Sequence, residues 1–355
     1  IDARIEATCG YYHMNGGSFL KPVLLVSTGV ASTSGSGNCN FEDSLSITNN
    51  GTYYFYLGTS SADSYNTLTI INNSTHEVFF GSTDTTFISG NLILNNTGTG
   101  GIVTGTGNGV TYLSSGKTIT VGSSGFTNNY LTLKNFYQQG TTSQTLTLTG
   151  TAILNLINAN FEGNLTVTTP RMLLKNSTFN GTTSITRNGT SGSFHCDGGN
   201  TFAGALILDN AGTSGRVRMA NTTPDKYLGD VTFNSSNGQD VQIAYTGNNI
   251  FEGNITINSN KVVFNTSNGK VSFTGGNSQT LNGSYNYPFK KLAIDKTDGF
   301  VTSNATFSVD DTLFFIKGSF ITKSTNELIL KLGSKVVGAS DSSYVEGPVK
   351  KIGNT

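Results

Sequence analysis

Carboxylates and lysines gather near the C-terminus, where two carboxylates could act as a general acid and a general base. The aspartates are Asp295, Asp298, Asp310 and Asp311, and the lysines near them in sequence are Lys290, Lys291 and Lys296. Enzymes that cleave glycosidic bonds need two such carboxylates to converge on one bond. Asp310 and Asp311 are adjacent, and adjacent residues of a strand point to opposite faces. We therefore interpret the group as a solvated, charge-balanced surface.

Three cysteines and three histidines are the other candidates for nucleophilic or metal chemistry. They are Cys9, Cys39, Cys196, His13, His76 and His195. Their spacing fits no zinc motif, and His195 and Cys196 would point to opposite faces of a strand. Cys9 and Cys39 both lie near the N-terminus and could form a disulfide. The sequence predicts no catalytic residue, no metal site and no cofactor.

Composition restricts the partners of the chain. The 355 residues include 44 Gly, only 12% charged residues and no Trp, and 21 basic residues balance 21 acidic ones. A net charge of zero offers no field to attract nucleic acid. The longest apolar run, residues 22–26, is far shorter than the roughly 20 residues that span a bilayer. We therefore expect neither nucleic-acid binding nor membrane insertion.

A loose repeat organises the middle of the chain: aromatic, any residue, Gly, polar, aliphatic, polar, aliphatic. Copies start at Phe161, Phe179, Phe202, Tyr227 and Phe251, which are 18, 23, 25 and 24 residues apart. Residues two apart share a face of a strand, so the apolar positions of each copy face one interior. Repeats of this length are typical of solenoids. The sequence predicts an all-β, right-handed parallel β-helix with coils of about 18–25 residues. The predicted core positions are Phe161, Leu165, Val167, Phe202, Leu206, Leu208, Tyr227, Val231, Phe251, Ile255 and Ile257.

Three regions are expected along the chain. Residues 1–40 lack the repeat and are predicted to form an irregular N-terminal cap or junction. Residues 41–334 are predicted to form the solenoid, with a change of register near residue 285. Residues 335–355 carry Ser and Gly turns before Pro348 and Val349, and they resemble a linker into a further domain.

The C-terminal quarter also resembles a known class of protein. The similar segments are Tyr-Pro-Phe-Lys-Lys-Leu-Ala-Ile at 287–294, 309–313, 318–322, 327–330 and Ser-Tyr-Val-Glu-Gly-Pro-Val-Lys-Lys-Ile-Gly-Asn at 343–354. They resemble repetitive β-rich regions of very large cell-surface proteins of Bacteroidota, many of them type IX secretion substrates and some of them adhesins. The resemblance implies a secreted, non-catalytic structural or adhesive segment at the cell surface. Its partners would be other domains of the same protein, and also glycans, surface proteins or further copies of itself.

Two further sets of residues are candidate sites of modification and of binding. Ser44, Thr85 and Thr312 follow aspartates, as in the short O-glycosylation sites of Bacteroidota. Aromatic residues that could stack on sugars or anchor a partner are enriched in the N-terminal third, although packing is the alternative for most of them. They are Tyr11, Tyr12, Tyr53, Tyr54, Tyr56, Tyr65, Tyr112 and Tyr130. Two other functions stay open: a self-assembling filament subunit, and a carbohydrate-active β-helix resembling a polysaccharide lyase or hydrolase.

Overall fold

The chain is a β-solenoid built from short parallel strands, as the repeat predicts. The computed structural model describes residues 1–30, 33–58, 61–81, 84–105 and 107–353, and these residues contain no α-helix. The chain divides into two compact units, Ile1–Gly181 and Thr182–Thr355. In both units, each strand pairs in parallel with the equivalent strand of the next coil.

The strands of the first unit lie on three faces. In chain order they are β1 (Ile5–Cys9), β2 (His13–Phe19), β3 (Val23–Ser27), β4 (Ser34–Asn49), β5 (Phe55–Leu57), β6 (Ser64–Asn72), β7 (Val78–Phe80), β8 (Thr86–Ile88), β9 (Leu92–Asn96), β10 (Ile102–Thr104), β11 (Thr111–Leu113), β12 (Ile119–Phe126), β13 (Tyr130–Lys134), β14 (Phe136–Gln138), β15 (Gln144–Thr147), β16 (Ile153–Ile157), β17 (Asn160–Phe161), β18 (Leu165–Thr169), β19 (Arg171–Lys175) and β20 (Thr178–Phe179).

Each face is a column of strands with its apolar side chains inward. On face A the register aligns Leu45, Leu68 and Leu92. On face B, which includes β5, β7 and β10, it aligns Phe55, Val78 and Ile102. On face C, which includes β8, β11 and β14, it aligns Phe41, Tyr65 and Ile88. All of these side chains are at most 1% exposed, so alternation along each strand gives every coil one buried and one solvent-facing side.

The strands of the second unit follow the same three-faced plan. They are β21 (Thr183–Arg187), β22 (Phe194–His195), β23 (Thr201–Phe202), β24 (Leu206–Asn210), β25 (Val217–Arg218), β26 (Lys226–Tyr227), β27 (Val231–Asn234), β28 (Val241–Gln242), β29 (Asn248–Phe251), β30 (Ile255–Ile257), β31 (Val262–Val263), β32 (Lys270–Phe273), β33 (Gln279–Gly283), β34 (Tyr287–Ser303), β35 (Phe307–Ile321), β36 (Leu328–Leu330), β37 (Lys335–Val337), β38 (Val345–Glu346) and β39 (Val349–Lys351).

The repeat residues occupy the interior. Phe202, Tyr227 and Phe251 stack in sequence, with ring centroids 5.3 and 4.5 Å apart. The eleven predicted core positions are at most 2% exposed. Near residue 285, where the sequence indicates a change of register, the separate strands merge into the long bulged strands β34 and β35. The coil length also varies more than the repeat suggests, since Ile102 pairs with Leu131, 29 residues later.

The glycine of the repeat is required by close contact between coils. A Cβ on Gly253 would overlap the carbonyl group of Gly229, and one on Gly229 would lie 2.5 Å from the carbonyl carbon of Gly204. Any side chain here would therefore collide with the backbone of the neighbouring coil.

Asparagine forms many of the corners. Asn135 and Asn158 adopt left-handed φ angles of 49° and 50°, and the Asn158 amide donates to Asn135 Oδ1 at 3.2 Å. Asn tolerates this conformation better than most residues. Five of the described asparagines adopt a left-handed φ angle, so these corners account for part of the Asn content.

The two ends differ from the sequence-based expectation. The described part of residues 1–40 is not irregular, since β1 pairs with β3 and β2 pairs with β4, while residues 31 and 32 lie outside the described residues. The Gly- and Ser-rich start of β4 has no alternating pattern, but its backbone is held by β2, and Phe19 stacks on Phe41 at 4.9 Å. Residues 335–351 contain β37, β38 and β39, which pair with β35 and β36 and are therefore part of the solenoid. Asn354 and Thr355, at the end of the predicted linker, lie outside the described residues.

Candidate binding surface

Aromatic side chains gather on the outer side of face B in the first unit. This group, called the tyrosine surface below, consists of Tyr53, Tyr54, Tyr56, His76, Glu77, Phe79 and Tyr130.

Strand alternation places the centre of this surface. Phe55 and Leu57 of β5 point into the core and are fully buried, so Tyr56 between them points outward. Tyr56 lies opposite Phe79 of β7. Their rings stack with centroids 4.7 Å apart at 22°. A parallel pair in register thus forms a hydrophobic ledge that is half-exposed to solvent.

The corner before β5 extends the ledge. The Tyr54 ring packs edge-on against His76 at 4.6 Å and stacks near Phe79 at 6.0 Å. Tyr53, which is 36% exposed, stacks on the imidazole ring of His76, and the two ring centroids are 5.8 Å apart. The imidazole is held by Thr75, whose Oγ1 lies 3.1 Å from its Nδ1. The rings therefore brace each other in fixed orientations.

Tyr130 closes the surface on the side of β13. Its ring occupies the space above Gly101, where a Cβ would lie 2.5 Å from the ring edge. Its hydroxyl donates a hydrogen bond to Glu77 Oε1. Burial, together with the bond and charge of Glu77, raises the pKa of Tyr130 well above its usual value, so the hydroxyl stays protonated. Burial also raises the pKa of Tyr56.

This arrangement is suited to binding and offers no evident chemistry of bond cleavage. Tyrosine rings present apolar area with a hydrogen-bonding hydroxyl, at a low cost in side-chain entropy. Glu77 is the sole carboxylate among the seven side chains, whereas hydrolysis of a glycosidic bond needs two.

The other tyrosines singled out by sequence lie elsewhere. Tyr12 and Tyr65 are buried, and their hydroxyls donate inside the fold, Tyr12 to Val26 O at 2.9 Å and Tyr65 to Asp63 Oδ2 at 2.9 Å. Tyr11 is exposed beside His13. Tyr112 lies on the outer side of face C.

The C-terminal aspartates are bound to different partners. Asp310 Oδ2 accepts a bond of 2.8 Å from Asn265, whereas Asp311 lies 3.8 Å from Lys291 and accepts from Thr312 at 2.9 Å. Asp298 is exposed and caps the amide of Gly299. Within the described ranges, no group of three or more His, Cys, Asp or Glu side chains is arranged to hold a metal ion.

No protein-family model, curated protein or solved structure matches the chain. Function must therefore be inferred from the geometry of the surfaces. The part of the chain that the structure describes has no helix with the length and hydropathy of a membrane span.

The predicted disulfide is not formed. Cys9 and Cys39 are both free thiols, Cys9 exposed and Cys39 2% exposed. Cys9 ends β1 on face A, opposite Ser27, whereas Cys39 lies on face C, opposite Gly17. Cys9 is open to solvent and Cys39 lies in the interior, so the two side chains are not placed at the Cβ separation of about 4 Å that a disulfide needs. Cys196 is a buried thiol.

The three candidate glycosylation sites differ in accessibility. Ser44 and Thr85 are half-buried. Thr312 is only 7% exposed, and its hydroxyl donates to Asp311. Thr312 is therefore the least accessible of the three candidate sites.

Sequence reasoning missed four buried charged residues. They are Asp63, Arg187, Asp225 and Lys296, each at most 1% exposed. Lys296 belongs to the charged surface that the sequence predicts, but its Nζ donates to Thr274 O and Gln279 Oε1, both at 2.6 Å. Burial lowers the pKa values of Arg187 and Lys296. Oxygen acceptors stabilise Arg187 and Lys296, and N–H donors stabilise Asp63 and Asp225. No local sequence signal marks such positions.

Proposed function

We propose that this chain is a non-catalytic structural and adhesive segment of a large bacterial surface protein that acts outside the cell. The observation that carries the proposal is the tyrosine surface, an outward-facing group of stacked aromatic side chains on face B. Stacked coils provide a rigid support that needs no cofactor, and the aromatic ledge supplies a place for a ligand or partner. Other domains of the same surface protein are the expected covalent neighbours.

The arrangement of carboxylates supports binding over catalysis. Asp310 and Asp311 are each engaged by a different side chain, and the tyrosine surface contains one carboxylate. A glycoside hydrolase on this fold would need two carboxyl groups within about 5–9.5 Å across a groove. We therefore favour recognition of a glycan or a surface protein over hydrolysis of a glycan.

A glycan array probed with the labelled full-length chain tests this proposal, with product analysis by mass spectrometry on every hit. We expect binding without cleavage. The double variant Tyr54→Ala/Tyr56→Ala should lose at least tenfold in affinity, because the central ledge is removed. Tyr344→Ala, which truncates another exposed tyrosine in the second unit, is the matched control and should bind normally.

Two results would contradict the proposal. A released product from any glycan would favour the carbohydrate-active alternative. Silence across the array, repeated with immobilised bacterial surface proteins, would contradict the adhesive role.

A further inference from the structure

A second row of aromatic residues lies on the outer side of face C in the first unit. Register aligns one outward residue from each successive coil. In order, these residues are Ser18, Asn40, Ser64, Phe87, Tyr112, Tyr137 and Asn160. Three aromatic side chains are thus flanked on both sides by small polar ones.

Core packing does not account for the three aromatics. Their inward neighbours Ile88, Leu113 and Gln138 fill the interior and are at most 1% exposed. Phe87 is 50% exposed, and its ring stacks on Tyr112 at 5.4 Å and 15°. Tyr112 in turn packs on Tyr137 at 5.3 Å. An exposed phenylalanine stacked at the end of an aromatic row is costly in water and is typical of a contact surface.

The row of three aromatic residues ends at Phe87, and a notch in the surface lies beside this ring. The next outward residue beyond Phe87 is Ser64, which is too short to cover the ring, and beyond Ser64 lies Asn40. A cavity of about 270 Å³ opens here, and Phe87 and Thr85 form one of its walls. Its volume is slightly below the usual range for drug-sized ligands, so it fits a single ring.

Polar groups line the notch in fixed positions. Ser64 Oγ donates to Asn40 Oδ1 at 2.6 Å, and Asn40 Nδ2 donates to the exposed Glu42 at 3.2 Å. Asp63 lies beneath them, 1% exposed, and accepts from the Cys39 amide at 2.8 Å and from Ser36 Oγ. Because the buried carboxylate ties two coils together, the floor of the notch is formed before any ligand binds.

We propose that this notch binds one neutral pyranose ring, stacked on Phe87. The aromatic face carries negative quadrupole density and attracts the C–H groups of one sugar face. Asn40 and Ser64, which line the notch, supply donors and acceptors that hydroxyl groups need. The described residues that line the notch include Asp63 and no Lys, Arg or His, so uronic acids, sulfated sugars and nucleotides are disfavoured.

The site is separate from the tyrosine surface. It lies on face C, whereas the tyrosine surface lies on face B, and the two share no residue. A negative binding result at one of these two sites would therefore not count against the other.

Saturation-transfer difference NMR on the full-length chain tests the proposal. The probes are the methyl glycosides of glucose, galactose and mannose, with methyl glucuronide as the charged comparison. For one sugar ring we expect a Kd on the order of 1 mM. Saturation should reach the C–H protons of one ring face most strongly. The charged glycoside should bind at least several times more weakly than its neutral counterpart.

Four variants locate the binding. Phe87→Ala should weaken sugar binding at least tenfold. Phe87→Tyr, which keeps an aromatic ring at this position, should bind like the wild type. Ser64→Phe extends the aromatic row over the open face of Phe87 and should also abolish binding, which guards against a fold defect in the first variant. Tyr137→Ala removes a ring at the far end of the row and should bind normally.

The proposal is wrong if no neutral methyl glycoside receives saturation at several times the expected Kd. It is also wrong if Phe87→Ala and Ser64→Phe bind like the wild type. Equal affinity for the glucuronide would overturn the assignment to neutral sugars.

Discussion

Replacement of Asp225 by Asn should remove a pH-dependent loss of stability in the second unit. Asp225 is fully buried, and its Oδ1 accepts from the amide and side chain of Asn200 at 2.9 and 3.0 Å. Tyr227 Oη donates to Oδ2 at 3.3 Å. Burial raises the pKa of Asp225 from 3.8 to about 7, against the opposing effect of these hydrogen bonds.

The size of the effect follows from this shift. A carboxyl whose pKa is higher in the folded state binds its proton more tightly there. Its contribution to the free energy of unfolding is therefore greatest below pH 3.8, where the carboxyl is protonated in both states. The free energy of unfolding should then fall by about 1.4 kcal/mol per pH unit up to about pH 7 and level off above it. The shift of about three units gives a total loss of about 4 kcal/mol. The pKa of the neighbouring Tyr227 is raised well above 10, so that group does not titrate in this window.

Urea unfolding followed by far-UV circular dichroism, repeated from pH 4.5 to 8.5, measures this loss. We expect the stability difference between Asp225→Asn and wild type to grow with pH and to reach a plateau above about pH 7 in favour of the variant. Asp298→Asn neutralises an exposed aspartate and should show no such growth. A difference between Asp225→Asn and wild type that is constant over this range would refute the reasoning.

Two further predictions concern close packing and thiols. Gly253→Ala should lower the free energy of unfolding by about 1–3 kcal/mol in chemical denaturation, because its Cβ would overlap the backbone of Gly229. Gly276→Ala, whose Cβ would meet only Thr297 at 3.6 Å, is the control and should change it by no more than about 0.5 kcal/mol. Ellman's reagent should label Cys9 quickly in the native chain, while Cys39 and Cys196 react only after unfolding; labelling of no thiol before reduction would instead indicate the disulfide that the structure lacks.

The adhesive and sugar-binding proposals can be separated from these stability effects. Variants of Tyr54, Tyr56 and Phe87 alter half-exposed or exposed side chains, so their melting temperatures should stay close to that of the wild type. Loss of binding with retained stability would therefore report on the surface itself.

The sequence by itself determined the fold class and much of the core. Alternation of apolar and polar residues has a period of two, so Phe251, Ile255 and Ile257 could be assigned to the interior without knowledge of their neighbours. The recurrence of the same unit every 18–25 residues then predicted stacked coils. Both signals are local, which is why they can be read from one chain.

Only the tertiary structure decided which side chains meet between coils. Register brings Tyr56 beside Phe79 and Phe87 beside Tyr112, although each pair is 23 or 25 residues apart in sequence. Corner geometry buries Lys296 and Asp225 next to backbone acceptors and donors, and it separates Cys9 from Cys39. Loop lengths between strands set this register, and variable loops carry no simple sequence code. The core was therefore predictable, whereas both candidate surfaces depend on contacts that form only when the coils stack.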